Sequence, residues 1–346
     1  MDHFTWGIVV FTIVVALAFD VINGFHDAAN SIATVVSTRV LSPRIAVLWA
    51  AFFNFIAILF FHKTKVAGTI SEIVNIQAGT PAFVYVVLAG LIGAVIWDLL
   101  TWVWGLPTSS SHALIGGLIG AAWAYNGVGI IAWETKVLPT VIFIFLAPII
   151  GLVIGFIIMM AVFWIFHRWR PYDIDHVFRK GQLFSAAMYS LGHGGNDAQK
   201  TMGVIVALLV AAGVFQSTPQ LSFKDPRTLS IIMACQTAMA LGTAFGGWRI
   251  VKTMGMKITK LKPVGGFCAE TGGALTLFLA THFGIPVSTT HTITGAIIGV
   301  GATTSLSGIK WGVAGRIVCA WVITIPFSAA VAAVCFWIVR ALHPQF

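Results

Sequence analysis

The sequence predicts an all-α polytopic membrane protein, built as an inverted repeat of two halves with about ten crossings and with broken or re-entrant helices at the repeated motifs. Three observations lead to this prediction: a scarcity of charge, long uncharged stretches, and motifs that recur in the same order. Only 9% of the 346 residues are charged and 58% are hydrophobic, whereas a soluble domain carries about 25% charged residues. The chain therefore has too little charge to cover a water-facing surface.

Long uncharged stretches give the expected membrane-spanning segments. A spanning helix needs about 20 apolar residues, and each of these stretches is at least that long. The net charge of +9 comes from basic residues in short loops, as the positive-inside rule expects, so no nucleic-acid partner is predicted. The stretches without Asp, Glu, Lys or Arg are 73–97, 99–133, 137–166, 201–223, 229–248, 271–309 and 317–339.

Two motifs recur along the chain and divide it into halves. The segment "PTSSSHALIGGLIG" (107–120) aligns without gaps with "PVSTTHTITGAIIG" (286–299). The segment "GFHDAANS" (24–31) has a looser copy in "HGGNDAQK" (193–200). Because both motifs recur in the same order at similar shifts, we expect a duplicated half, with the first repeat at 1–170 and the second at 171–346.

Loop charge predicts how the two halves are oriented. If each half crosses five times and the N-terminus is outside, four basic loops face the cytoplasm and hold 13 of the 20 basic residues. The basic loop at 249–262 is then inside, and its counterpart at 62–80 is outside. An odd number of crossings per half makes the repeats inverted, as in many secondary transporters.

The hydroxyl triplets of the second motif are candidates for binding an oxyanion. Each triplet follows a proline and precedes a glycine-rich apolar segment, which is typical of a helix start. A helix start offers free N–H groups and a positive dipole end, and both suit an oxyanion. Ordinary Ser/Thr packing between membrane helices is the alternative. The residues are Ser109, Ser110, Ser111, Ser288, Thr289 and Thr290.

The acids of the first motif are candidates for holding a cation. Asp27 and Asp197 each lie in an apolar segment beside glycine and an amide, Asn30 or Asn196. Intramembrane acids usually face a cavity with a function, and we expect the glycines to open the helix so that carbonyl oxygens join the carboxylates. A helix cap or a buried hydrogen bond is the alternative.

Other charged and polar residues near these motifs are less clearly assigned. Asp20 and Asp98 have no partner in the repeat, so a structural role remains open for both. His26 replaces the amide of the second copy and is a possible lining residue. Lys200 lies where Asn30 lies in the first copy, and it either extends to the membrane interface or points into the cavity.

The motifs resemble those of the PiT family of inorganic phosphate transporters. The resemblance runs from about residue 19 to residue 301, and "GFHDAANS", "PTSSSHALIGG", "HGGNDAQKTMG" and "GFCAETGGALTLFLATHFGIPVSTTH" are similar to the bacterial branch. It implies phosphate bound between the hydroxyl-rich segments, either free or as a metal–phosphate, in a multi-pass protein of the bacterial inner membrane. It implies no cofactor beyond a coupling cation, H⁺ or Na⁺, for which the carried-over positions are Asp27, Asn30, Asn196, Asp197 and Glu270.

Two departures from the eukaryotic branch bear on the coupling ion. Asn54 stands where that branch has Glu, and Lys200 stands where it has an amide. An ammonium near Asp197 would weaken a Na⁺ site there, so the sequence favours H⁺, carried by Glu270, over Na⁺. The rival functions are transport of another tetrahedral oxyanion, such as sulfate or arsenate, and an intramembrane hydrolase. The hydrolase is disfavoured because Ser, His and Asp occur in two matched copies rather than in one set.

Overall fold

The computed structural model describes residues 3–61, 64–75, 80 and 82–342. Its described part is all-helical. Lys63, in the loop predicted to lie outside, is not among the described residues. The helices are α1 (His3–Ser37), α2 (Pro43–Ile56), α3 (Lys65–Ser71), α4 (Ala82–Trp104), α5 (Ser110–Asn126), α6 (Leu138–Ile165), α7 (Pro171–Ala211), α8 (Pro226–Phe245), α9 (Trp248–Lys252), α10 (Pro263–Phe283), α11 (Thr289–Thr304) and α12 (Trp311–Leu342).

Six helical segments in the described residues are long and apolar enough to cross a membrane. They contain all or nearly all of α1, α4, α6, α8, α10 and α12. The exposed side chains of α6 and α12 are mostly large and apolar, for example Phe145, Trp164 and Trp337, which suits a lipid-facing surface. The chain is therefore a membrane protein, while the full count of about ten crossings remains a prediction.

The helices that carry the aspartates of the first motif are continuous. α1 runs through 24–31 and α7 runs through 193–200 without a break, so the expectation that glycine opens the helix here is wrong. The glycines serve a different purpose. A Cβ at Gly24 would meet the carbonyl of Met239 on α8, and a Cβ at Gly194 would meet the backbone of Asn54 on α2. These glycines let two helix backbones approach closely.

The chain is broken where the proline-containing motifs begin. Gly105 directly follows the end of α4 and Gly284 directly follows the end of α10, and both glycines have positive φ angles, 65° and 74°. Glycine adopts this left-handed conformation without strain and commonly ends a helix. After each glycine the chain runs without helix to the hydroxyl triplet. The next helices, α5 and α11, have 17 and 16 residues and are shorter than the roughly 20 residues needed to cross.

Each of these short helices packs on the last helix of the other half. α5 lies against α12, and α11 lies against α6. Glycines at matching positions make both contacts possible, because a Cβ at any of them would collide with the backbone or a side chain of the facing helix. The pairs are Gly116 with Ile325, Gly120 with Ala329, Gly295 with Pro148, and Gly299 with Leu152.

Candidate functional site

The two hydroxyl triplets form the first turns of α5 and α11, as predicted. Ser109 and Ser288 have extended backbones and cap these helices by accepting hydrogen bonds from the N–H groups of His112 and His291, at 3.3 and 3.1 Å. Serine at this position satisfies a helix-start donor that would otherwise have no partner. All six hydroxyl residues of the triplets are buried. Ser109 and Ser288 therefore act as helix caps, whereas the second and third hydroxyl residues of each triplet make other contacts.

The carboxylate of Asp27 lies where α1 meets both helix starts. The hydroxyl of Ser110 donates to Asp27 Oδ1 at 3.4 Å. The hydroxyls of Thr290 and Thr289 lie 3.5 Å from Asp27 Oδ1 and Oδ2, respectively. His26 Nδ1 lies 2.8 Å from Asp27 Oδ1. Asp27 is thus brought together with residues of both triplets and with His26.

The carboxylate of Asp197 faces one of these hydroxyls, that of Thr289, from α7. Thr289 Oγ1 lies 3.2 Å from Asp197 Oδ2 and therefore links the two aspartates. Lys200 Nζ donates to Asp197 Oδ1 at 2.5 Å, to Ser111 Oγ at 2.5 Å and to the carbonyl of Val287 at 2.8 Å. The side chain of Lys200 is 1% exposed. Of the two alternatives for Lys200, the structure therefore has the inward one.

Repeat-related residues make repeat-related hydrogen bonds. Asn30 Nδ2 on α1 donates to Thr290 at 2.9 Å and to Thr289 at 3.1 Å. Lys200, at the matching position on α7, donates to Ser111, which matches Thr290. We call Asp27, Asn30 and Thr290 the first half-site, and Asp197, Lys200 and Ser111 the second half-site. The two half-sites differ chiefly in one donor. Asn30 supplies a neutral amide in the first half-site, and Lys200 supplies an ammonium in the second.

Two predicted cation residues lie in other polar contacts. Asn196 Nδ2 donates to Thr281 Oγ1 on α10 at 2.9 Å. Glu270 accepts hydrogen bonds from Thr34 at 2.6 Å, from Gln182 at 2.9 Å and from Ser185 at 2.5 Å. The structure records no contact between Glu270 and either half-site among the described residues. Three donors satisfy an ionised carboxylate well.

One residue of the site was missed in the sequence. A ring nitrogen of His193 lies within 4.8 Å of carboxylate oxygens of both Asp27 and Asp197. The ligand atoms of these three residues are close enough together to hold a metal ion. His193 Nε2 lies 3.4 Å from Asp197 Oδ2. The signal was available, because His193 precedes Asp197 by four residues and so lies on the same helix face.

Comparison with known proteins gives consistent matches over nearly the whole chain. A model described as "Phosphate transporter family" matches residues 23–332. The chain is 56% identical to a Rhizobium meliloti protein over 94% of both chains, and 43% identical to a Bacillus subtilis protein over 95% of this chain and 96% of that one. Both are named "Probable low-affinity inorganic phosphate transporter".

A solved structure has the same fold. It is titled "The sodium-dependent phosphate transporter", and it matches with a TM-score of 0.86 over 97% of this chain and 99% of its own. The sequence identity is 24%, so this match establishes similarity of fold alone.

Proposed function

The chain belongs to the phosphate transporter family, and from this premise we propose that it is a secondary active symporter that imports inorganic phosphate across the bacterial cytoplasmic membrane. A gradient of H⁺ or Na⁺ drives the import. The observation that carries this proposal is the meeting of two hydroxyl-bearing helix starts with two buried carboxylates, Asp27 and Asp197. Membership of a transporter family also removes the intramembrane hydrolase as an alternative.

Phosphate binds at the starts of α5 and α11 in this proposal. The hydroxyls of Ser110, Thr289 and Thr290 lie near carboxylate oxygens in the structure, and these hydroxyls can rotate to donate to phosphate oxygens instead. Ser111 also contributes a hydroxyl, while Ser109 and Ser288 hold the helix starts in place. The N–H groups and dipoles of two helix starts add donors and positive potential.

Cations are required at this site because of its charge. Two carboxylates within reach of the hydroxyls would repel a phosphate anion, and one of them is balanced by Lys200. Asp27 has His26 as its neighbour, so its charge is balanced by a protonated His26 or by an incoming cation. We propose that Asp27, Asn30, His193 and Asp197 surround the cation that accompanies phosphate, with Asn196 and Glu270 positioning α7 and α10.

The halves 1–170 and 171–346 form an inverted repeat in this proposal. Two observations support it: the half-sites make matching hydrogen bonds, and the short helices α5 and α11 pack on opposite halves through matching glycines. In such an arrangement one half rocks against the other around a fixed site, which gives alternating access.

The test is uptake of radiolabelled phosphate into proteoliposomes with the Na⁺ and H⁺ gradients set independently. We expect uptake above that of protein-free liposomes with at least one inward gradient, and no uptake with neither. The sequence-based hypothesis for Glu270 predicts that uptake follows an inward pH gradient without Na⁺ and that Glu270→Gln abolishes this dependence. An excess of sulfate or arsenate tests the alternative oxyanions, and removal of divalent metals with EDTA tests whether phosphate travels as a metal–phosphate. Absence of uptake under every gradient would contradict the proposal.

A further inference from the structure

A second buried carboxylate on α1 is not used by the proposed phosphate site. Asp20 lies seven residues before Asp27, two helical turns away on nearly the same face of α1. It is 0% exposed, and neither of its carboxylate oxygens has a hydrogen-bond partner among the described residues. Burying an ionised carboxylate without compensation is costly. Asp20 therefore requires a proton or a cation beside it.

The neighbours of Asp20 supply further oxygens in the same condition. Asn23, on the next turn of α1, and Thr201, on α7, lie beside the carboxylate. Both are buried, and Asn23 Oδ1 and Thr201 Oγ1 also have no hydrogen-bond partner among the described residues. Four oxygen atoms from three side chains of two helices thus lie together, and the Thr201 hydroxyl and the Asn23 amide are the side-chain groups placed to donate to the carboxylate.

The composition of the cluster favours a metal cation over a proton. A proton on Asp20 is held by one carboxylate oxygen and reaches one further acceptor. A single hard cation contacts all four at once, because carboxylate, amide and hydroxyl oxygens are the ligands that such cations bind.

From these contacts we infer that Asp20, Asn23 and Thr201 form a binding site for a monovalent cation, Na⁺, separate from the two half-sites. One carboxylate balances one positive charge, so a monovalent ion leaves the site neutral. The nearby charged groups agree with this choice. Asp197 lies close enough to add negative potential at Asp20, and Lys200 already pairs with Asp197.

The position of Lys200 explains why a cation would bind here. Its ammonium occupies the second half-site, where it is bound by three oxygen atoms. An exchangeable cation is therefore excluded from that position by charge repulsion and by space. The next residue, Thr201, belongs to the Asp20 cluster. This inference rests on the proposed cation-driven symport, commits its coupling ion to Na⁺, and leaves Glu270, whose carboxylate three donors already satisfy, in a positioning role.

Thermal unfolding of the purified protein tests the site without any transport step. A ligand that binds only the folded state raises the melting temperature as its concentration increases. We expect the melting temperature of the parent protein to rise with NaCl when choline chloride keeps the ionic strength constant and phosphate is absent. Asp20→Asn should make this rise smaller, because it removes this site and leaves the proposed cation site around Asp27. Asn23→Ala and Thr201→Val should each raise the half-maximal Na⁺ concentration about 10-fold or more, as loss of a ligand-shell contact does.

Thr294→Val is the matched control for Thr201→Val. Thr294 is also buried and its hydroxyl also has no partner in the described chain, but it lies on α11 outside the triplets. Its replacement should leave the Na⁺ response unchanged. If Asp20→Asn does not fold, Asn23→Ala and Thr201→Val carry the test.

The outcomes separate this inference from the proposed function. A smaller Na⁺ response in Asp20→Asn than in the parent protein, with stabilisation by added phosphate retained, would support the site. A Na⁺ response in Asp20→Asn equal to that of the parent protein would overturn the site and leave the symport untouched. A parent protein whose melting temperature ignores Na⁺ but varies with pH, through Asp20, would make this a proton site and overturn the inference. Failure of the proposed function would instead appear as absence of phosphate uptake in the parent protein.

Discussion

The two half-sites have the same backbone frame and different charges. In the first half-site an amide of α1 donates to Thr290 beside Asp27; in the second an ammonium of α7 donates to Ser111 beside Asp197. The difference between Asn30 and Lys200 adds one fixed positive charge to one side of the site. In the symport that we propose, one substitution therefore changes the number of exchangeable cations without moving a helix.

The neighbours of the half-sites differ as well. His26 lies 2.8 Å from Asp27, but the residue at the matching position, Asn196, turns away from Asp197 to Thr281. His193 Nε2 lies 3.4 Å from Asp197 Oδ2. The residue that matches His193 on α1 is Asn23, which lies beside Asp20 instead. His26 thus lies beside Asp27, whereas a ring nitrogen of His193 lies within 4.8 Å of carboxylate oxygens of both aspartates.

Removal of the Lys200 ammonium should have the largest effect on stability and transport. Lys200→Ala leaves Asp197 buried without its partner, so we expect a loss of about 3–5 kcal/mol of folding stability and no phosphate uptake. Asn30→Ala removes a neutral donor and should cost only about 1–3 kcal/mol. Denaturation in detergent measures both. Adding Asp197→Asn to Lys200→Ala should restore part of the stability. Equal losses in the two single variants would show that the charge of Lys200 is unimportant.

Loss of the Ser110 and Thr289 hydroxyls, which lie near the carboxylates, should have the next largest effect, on the KM for phosphate. Ser110→Ala combined with Thr289→Ala should raise the KM for phosphate, because each hydroxyl bond to a charged group contributes about 1.5–3 kcal/mol. Phosphate uptake at graded concentrations measures the change. Ser328→Ala is the control, since this buried hydroxyl bonds only to its own helix backbone. An unchanged KM in the double variant would remove the helix starts from the phosphate site.

Making the half-sites alike should sharpen the comparison. Lys200→Asn gives the second half-site the amide of the first, and Asp197 then needs an exchangeable cation in place of the ammonium. We expect phosphate uptake by this variant to depend more steeply on Na⁺ concentration than uptake by the parent protein. A Na⁺ dependence of unchanged steepness would mean that no cation replaces the lost ammonium.

Single cysteine substitutions on the surface should perturb the protein least, and they test whether the two halves have opposite orientations in the membrane. Lys65 and Lys257 are both exposed, and the inverted repeat puts the first outside and the second inside. Single cysteines at these positions, in a background where exposed Cys319 is replaced by serine, should react with an impermeant reagent from opposite sides. Reaction from the same side would contradict the inverted arrangement, and the two half-sites would then not face each other as a pseudo-symmetric pair.

Sequence repetition predicted the parts of the site that depend on local structure. Proline followed by hydroxyl residues predicted the starts of α5 and α11, and the structure places both matched aspartates near hydroxyls of these starts. Consecutive residues on a helix point about 100° apart. Asn196 therefore points away from Asp197 and bonds to Thr281.

The remaining features depend on packing between distant segments, which the sequence does not specify. Glycine in an apolar helix fits either an opening or a close approach, and only the position of Met239 beside Gly24 decides between them. Asp20 has no partner in the repeat, so comparison of the halves assigns it nothing. Its neighbour Thr201 is 181 residues away in the chain, and their meeting follows from the packing of α1 on α7.

The exchange of helices between the halves also constrains how the protein is made. The glycine face of α5 is covered by α12, which begins only at residue 311. α11 differs, because its partner α6 precedes it in the chain. The glycine face of α5 is therefore not covered until α12 has been made. A chain arrested before residue 311 would leave the glycine face of α5 uncovered, so we expect the start of this helix to be held less firmly than in the chain that includes α12.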